Sequence, residues 1–175
     1  MHFLQPGFGV VDLKGFEKLR DLNRSVKQVP TDLKALEQLL SWFDQLNQPS
    51  IPTEIWIQCQ LALAEGFTNA VRHAHKGLPT NIPIDIEVTL FPQYLEIRIW
   101  DQGAPFDLEQ GIQNQNQKMN EHPPGEYPPG GRGLVLMRTI ADKLSYTRTN
   151  DNRNCLLIVK SYERLDRAKQ VTSGG

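Results

Sequence analysis

The chain has 175 residues, with 19 Lys+Arg against 20 Asp+Glu, a formal net charge of −1, and 39% hydrophobic and 22% charged residues. This is the composition of a soluble globular protein, and a single domain of this length buries enough apolar surface to fold without disulfides. It leaves no basic excess to attract a phosphate backbone, and the longest apolar run, Cys155 to Val159, falls far short of the ~20 residues of a membrane span.

Residues 1–24 scatter Phe3, Phe8, Val10, Val11, Phe16, Leu19 and Leu22 and read as an N-terminal arm. They show no charged n-region followed by an apolar h-region, so the expected setting is cytoplasmic, with neither membrane nor nucleic acid as partner. Cys59 and Cys155 lack CxxC spacing and are expected to be buried apolar fillers. Ser25–Val29 suggests an edge strand. Thr31 is placed to cap a helix whose Leu33, Leu36, Leu39, Leu40, Trp42, Phe43 and Leu46 follow the helical period. A second helix is expected from Pro52 to about His75, ended by Gly77 and Pro79.

Ile82, Ile84, Ile86, Val88 and Leu90 alternate with polar residues or proline, as Leu95, Ile97 and Ile99 do after Phe91-Pro92-Gln93, which predicts a hairpin with one buried face. From Gln110 to Asn120 seven of eleven residues are Gln or Asn, and from Glu121 to Gly133 eight of thirteen are Pro or Gly. The composition predicts a long loop without helix or central strand, a lid over about residues 108–131. Leu134–Asp142 reads as a short helix, Leu144–Thr149 and Cys155–Tyr162 as a second hairpin, and residues 163–175 as a polar tail. Strands grouped in hairpins with helices between the groups predict an α+β two-layer sandwich over residues 25–162, its mixed, mainly antiparallel sheet covered on one face by helices.

Three features bear on chemistry. Glu65, Asn69 and His73 stand at i, i+4 and i+8 on the second helix, a polar line amid Leu61, Ala62, Leu63, Phe67 and Ala70; it is a solvated face or a site. Asp101-Gln102-Gly103 closes the Leu95–Trp100 strand, as a plain turn or as an acceptor for a flat heterocyclic amine. Gly130-Gly131-Arg132-Gly133-Leu134 opens a helix, as a loop end or as an anion site built on free amides. His73 and His75, at i and i+2, point to different helix faces, which disfavours a metal pair.

Taken in order, E-G-F-T-N-A-V-R-H (Glu65–His73), D-Q-G-A-P-F-D (Asp101–Asp107) and G-R-G-L (Gly131–Leu134) resemble the N, G1 and G2 boxes of Bergerat-fold ATPases. The short chain and the D-x-G-x-x-F-D form look most like the anti-sigma-factor serine kinases of the RsbW and SpoIIAB type. The resemblance implies an ATP- and Mg²⁺-binding regulator in which Asn69 binds the metal, Asp101 accepts from the adenine amino group and Gly103 admits the base. Gly131, Arg132, Gly133 and Leu134 would clasp phosphates, and Glu65 would be the general base toward a serine hydroxyl. It further implies a sigma factor and a STAS-domain anti-anti-sigma protein as partners, and a homodimer.

Two positions depart from the pattern. The family's Thr early in the last strand corresponds to Cys155, and Pro128, Pro129 and Gly130 stand where a lid Arg is expected, leaving Lys118 and Arg132 as the cations from Gly111 to Gly133. The alternative reading is a non-catalytic, nucleotide-gated module that sequesters a partner. A histidine-kinase catalytic domain is disfavoured, since no long helix with a phospho-accepting histidine precedes the Glu65–His73 box.

Overall fold

The computed structural model describes residues 23–121 and 131–163. Their strands are β1 (Arg24–Val29), β2 (Ile84–Leu90), β3 (Tyr94–Asp101), β4 (Lys143–Arg148) and β5 (Asn154–Ser161), and their α-helices are α1 (Leu36–Asp44), α2 (Thr53–Asn69), α3 (Leu108–Asn120) and α4 (Gly133–Ile140). The strands form one sheet in the order β1-β2-β3-β5-β4. Every described pairing is antiparallel, so no parallel pair enters this α+β sandwich.

Alternation decides which way each strand faces. Ile84, Ile86 and Val88 of β2, Leu95, Ile97 and Ile99 of β3, and Leu156 and Ile158 of β5 are buried on the side that carries the helices. From α2, Cys59, Ala62, Leu63 and Phe67 complete this core, and Gly66 permits close approach, because a Cβ there would strike Ile99 Cδ1. Phe43 and Trp56 stack at 4.2 Å between α1 and α2, with the indole N–H donating to Asp44 Oδ1 at 3.2 Å. Both cysteines are free and buried, and burial pushes the Cys59 thiol up to about 12 and that of Cys155 to about 11.

Two local expectations fail for identifiable reasons. Asp32, not Thr31, caps the first helical segment: its Oδ1 accepts from Lys34 N at 2.9 Å ahead of a 3-10 turn, Leu33–Ala35. The Thr31 hydroxyl donates instead to Ile82 O at 2.6 Å. The Gln/Asn-rich segment, expected as loop, is helix α3. Asp107 Oδ1 caps it through Gln110 N at 3.0 Å, Leu108 and Ile112 bury one turn apart, and Gln110 and Gln117 bond Asn114 and Glu121 four residues on. Glutamine is a fair helix former, so a cap and two buried anchors suffice. The arm before residue 23, the tail after residue 163 and the Pro-rich part of the lid with Pro128, Pro129 and Gly130 lie outside the described residues.

Candidate functional site

A cavity of about 680 Å³ opens between the C-terminal end of α2, the loop after β3, the inner side of α3 and the start of α4. Its volume lies within the range of small-molecule sites. Of the residues singled out in the sequence, Asn69, Asp101, Gly103 and Leu134 line it, with His73. Ile99 and Leu156 of the sheet form an apolar floor. Leu108, Gly111 and Gln115 contribute one face of α3, which places that helix as a wall of the cavity.

Asp101 ends β3 on the helix side and is 3% exposed. Its Oδ1 accepts from Gly103 N at 2.9 Å and from Asn154 Nδ2 at 2.8 Å, and its Oδ2 accepts from the Tyr146 hydroxyl at 2.7 Å. Three donors fix the carboxylate and leave acceptor capacity on Oδ2, the oxygen with the single donor. Burial, then the Asp101 bond, push the Tyr146 phenol upward, so it stays a neutral donor. Its ring meets Phe106 edge-on at 5.9 Å. The Gly103 carbonyl accepts from Asn154 Nδ2 and Arg148 Nη1, each at 3.0 Å, which clamps the loop to the β4–β5 hairpin. Gly103 must be glycine for the loop's approach to α2: a Cβ would lie 2.5 Å from the Ala74 carbonyl oxygen.

Cys155, matched in the sequence to the family's threonine, does not face the cavity. It pairs with Trp100 in the register and so faces away from the helices, while its neighbour Asn154 pairs with Asp101 and faces the site. Asn154 and Tyr146 are the residues that sequence reasoning missed, although period-two alternation from Ile158 and Leu156 to Asn154, and from Leu144 to Tyr146, carries the signal.

Glu65 and Gly133, which do not line the cavity, come together beside Asn69, which does. A Cβ on Gly133 would strike Glu65 Oε2 and lie 3.6 Å from Asn69 Nδ2. Leu134 N and Val135 N, in the first turn of α4, both donate to Gln115 Oε1 of α3, at 3.1 and 3.3 Å. The anion-seeking amides at this helix start are therefore held by a neutral side-chain oxygen. Gly131 adopts φ +83°, a left-handed conformation suited to glycine. Gly131 and Arg132 are exposed and do not line the cavity.

The family described as histidine kinase-like ATPase domain matches residues 29–160, which include β2, β3 and β4, β5 up to Lys160, all four α-helices and, of β1, Val29 alone. The chain belongs to this family. Among curated relatives, the serine-protein kinase RsbW of Bacillus subtilis is 34% identical over 85 residues, 49% of this chain and 52% of the relative. The RsbW of Bacillus licheniformis is 33% identical over 85 residues (49% and 53%), and that of Listeria monocytogenes serotype 4b is 36% identical over 93 residues (50% and 56%). The chain spans about half the length of these curated relatives.

Within this histidine kinase-like ATPase domain, one side chain bears on the implied metal and its phosphates. Asn69 Nδ2 is buried and has no hydrogen-bond partner, at the wall of the cavity and beside Gly133. A buried amide left without a partner is costly unless a ligand completes it. That nitrogen is a donor and suits a ligand oxygen, whereas Mg²⁺ takes oxygen ligands, few of them from protein, so the amide oxygen of the same side chain is the atom that would hold it. Among the described residues no helix is long and apolar enough to cross a membrane.

Proposed function

We propose that the chain is a cytoplasmic, ATP- and Mg²⁺-binding anti-sigma regulator that phosphorylates a serine of a STAS-domain partner. In this reading residues 25–162 are the nucleotide-binding unit and residues 108–131 its lid, and the protein works as a homodimer that also binds a sigma factor. The observation that carries it is Asp101. A buried carboxylate with three donors in place and one oxygen still able to accept, at the end of a cavity floored by Ile99 and Leu156, suits the amino group of an adenine. The RsbW relatives, named serine-protein kinases, support the kinase part of the proposal.

Each residue then has a task. Asp101 orients the base, and Ile99 and Leu156 pack on it. Asn69 holds the metal, which when bound neutralises charge on the phosphates. Leu134, Gly133, Gly131 and Arg132 receive the phosphate chain. Glu65 takes the hydroxyl proton as the serine oxygen bonds to the γ-phosphorus and the bridging P–O bond to ADP breaks. Such transfer depends chiefly on position and charge neutralisation, with one base to direct the nucleophile.

Calorimetric titration of ATP tests the reading, with expected binding that weakens at least about tenfold when Mg²⁺ is withheld. Absence of binding in both conditions would overturn it. A finer test uses Gln115, whose oxygen occupies the α4 amides that phosphates need. In Gln115→Glu a charged acceptor holds those amides about twice as strongly as a neutral one. Mg·ATP affinity is expected to fall about tenfold while adenosine affinity stays level; equal losses for both ligands would remove the phosphates from this helix start.

The neutral Gln115 plug also favours the second reading, a module whose partner binding is gated by nucleotide without transfer. Robust labelling of a partner serine would eliminate it.

A further inference from the structure

After Asn69 the helix widens into a π turn, Ala70–Ala74, in which the His75 N–H reaches Ala70 O at 2.8 Å. Beyond this turn His73 stays at the cavity while His75 points inward and is 2% exposed. Both ring nitrogens have partners: Nδ1 lies 2.8 Å from Thr31 Oγ1, and Nε2 lies 2.9 Å from the backbone N of Gln102.

The direction of each bond follows from the donors available. An amide N–H only donates, so Nε2 accepts from Gln102. The hydroxyl hydrogen of Thr31 goes to Ile82 O, so the Thr31 oxygen accepts from Nδ1–H. The imidazole is neutral, with its hydrogen on Nδ1. A one-way chain of donation runs from Gln102, the residue between Asp101 and Gly103, through His75 and Thr31 to Ile82. It ties the loop that carries the acceptor carboxylate to both the end of α2 and the approach to β2.

We infer that His75 is a positioning residue for the base end of the cavity, holding the Asp101–Gly103 loop in register through the Gln102 amide and touching no ligand itself. The inference rests on the reading of the cavity as a nucleotide site. Fixing Gln102 N fixes the peptide plane that follows Asp101, and with it the direction of the free Oδ2 lone pair. An ångström of drift there costs binding without emptying the core.

The chain also makes the loop sensitive to proton uptake. A second N–H on the ring would point at the Gln102 N–H, two buried donors facing each other. Burial lowers the His75 value below 6.5, and Asp101, the charge facing it from β3, opposes this more weakly. From the β1–α1 connection and the approach to β2 only the Thr31 hydroxyl and the Ile82 carbonyl reach the chain, and its helix neighbours His73 and Lys76 are exposed. Because the folded value lies below the unfolded one, the stabilisation is complete above 6.5 and is lost as pH falls through the folded value.

The test uses His75→Gln, whose side-chain oxygen reaches the place of Nε2 and accepts at every pH, and His75→Phe, which removes both bonds. Adenosine is the probe, because it stays uncharged between about pH 5 and 8, where histidine titrates. Hydrogen exchange of the Gln102 amide is followed in parallel. In the natural protein, amide protection and adenosine affinity are both expected to fall as pH drops below the ordinary histidine range. His75→Phe should bind about tenfold more weakly at all pH values, as expected for one lost buried bond. His75→Gln should bind within about threefold of the natural protein and lose the pH response.

Natural affinity and natural Gln102 protection in His75→Phe would overturn the inference. Should that variant not fold, a pH response that persists in His75→Gln overturns it equally. If adenosine binds to none of the proteins, the nucleotide reading fails and the Gln102 amide alone decides: protection that follows the ring upholds the positioning role, and protection indifferent to it removes that role.

Discussion

Asp101→Asn is expected to weaken ATP binding by at least about 100-fold while leaving a folded protein. The carboxylate now accepts from Gly103 N, Asn154 Nδ2 and the Tyr146 hydroxyl. An asparagine keeps one oxygen, which the Gly103 and Asn154 donors claim, and turns an NH₂ toward Tyr146. The tyrosine hydroxyl rotates to accept, so the fold loses roughly 1–3 kcal/mol at most, the cost of one poorly matched buried polar group. A base amine meets a harsher change, because the lone pair it sought is replaced by a donor. Loss of that bond plus an unsatisfied donor amounts to roughly 3 kcal/mol, or about two decades of affinity. Calorimetric titration gives the affinity and thermal unfolding the fold; an affinity within about threefold of the natural protein would take Asp101 out of the base site.

The second large effect falls on transfer. Glu65→Gln keeps the size of a side chain that lies against Gly133 and removes its capacity to take a proton. Phosphate transfer to a partner serine should fall by about 10²–10⁴-fold, the usual contribution of a general base, with ATP affinity within about threefold. Single-turnover transfer measured beside the titration separates the two. Unchanged transfer would assign Glu65 a structural part only, that of a carboxylate resting on the start of α4, where negative charge is favourable.

Much of this architecture is written in simple periods. Alternation in Ile84–Leu90 and Leu95–Ile99 gives the central hairpin, and the helical spacing of Leu36, Leu39, Trp42 and Phe43 gives α1. The polar line Glu65–Asn69 on an apolar helix and the Asp101 turn also announce themselves, since each sets a polar group where burial demands a partner. Composition misled at α3. A run of Gln and Asn reads as loop by bulk content, yet Asp107 with Gln110 three residues on is a helix-start signature, and Leu108 and Ile112 supply the buried face. Asn154 and Tyr146 were within reach of strict alternation, because one step of register separates Asn154 from Cys155. His75 was not legible. Its inward course depends on a π turn that no local pattern in Ala70–Ala74 signals, and its partners Thr31 and Gln102 are 44 and 27 residues away.

The strand order carries a consequence for how the domain assembles. The β2–β3 and β4–β5 pairs are each closed by a short turn, so both hairpins can nucleate independently. The centre of the sheet, β3 against β5, joins residues no nearer in the chain than Asp101 and Asn154, 53 positions apart, and closes a loop that contains α3, α4 and β4. Non-local closure of this kind slows folding, so docking of the two hairpins is expected to be the slow event. The closure entropy grows only with the logarithm of loop length, about 0.6 kcal/mol per doubling. A longer or shorter segment between α3 and α4 would therefore change the cost of closing the β3–β5 seam by only a fraction of a kcal/mol, about 0.6 kcal/mol for a doubled loop.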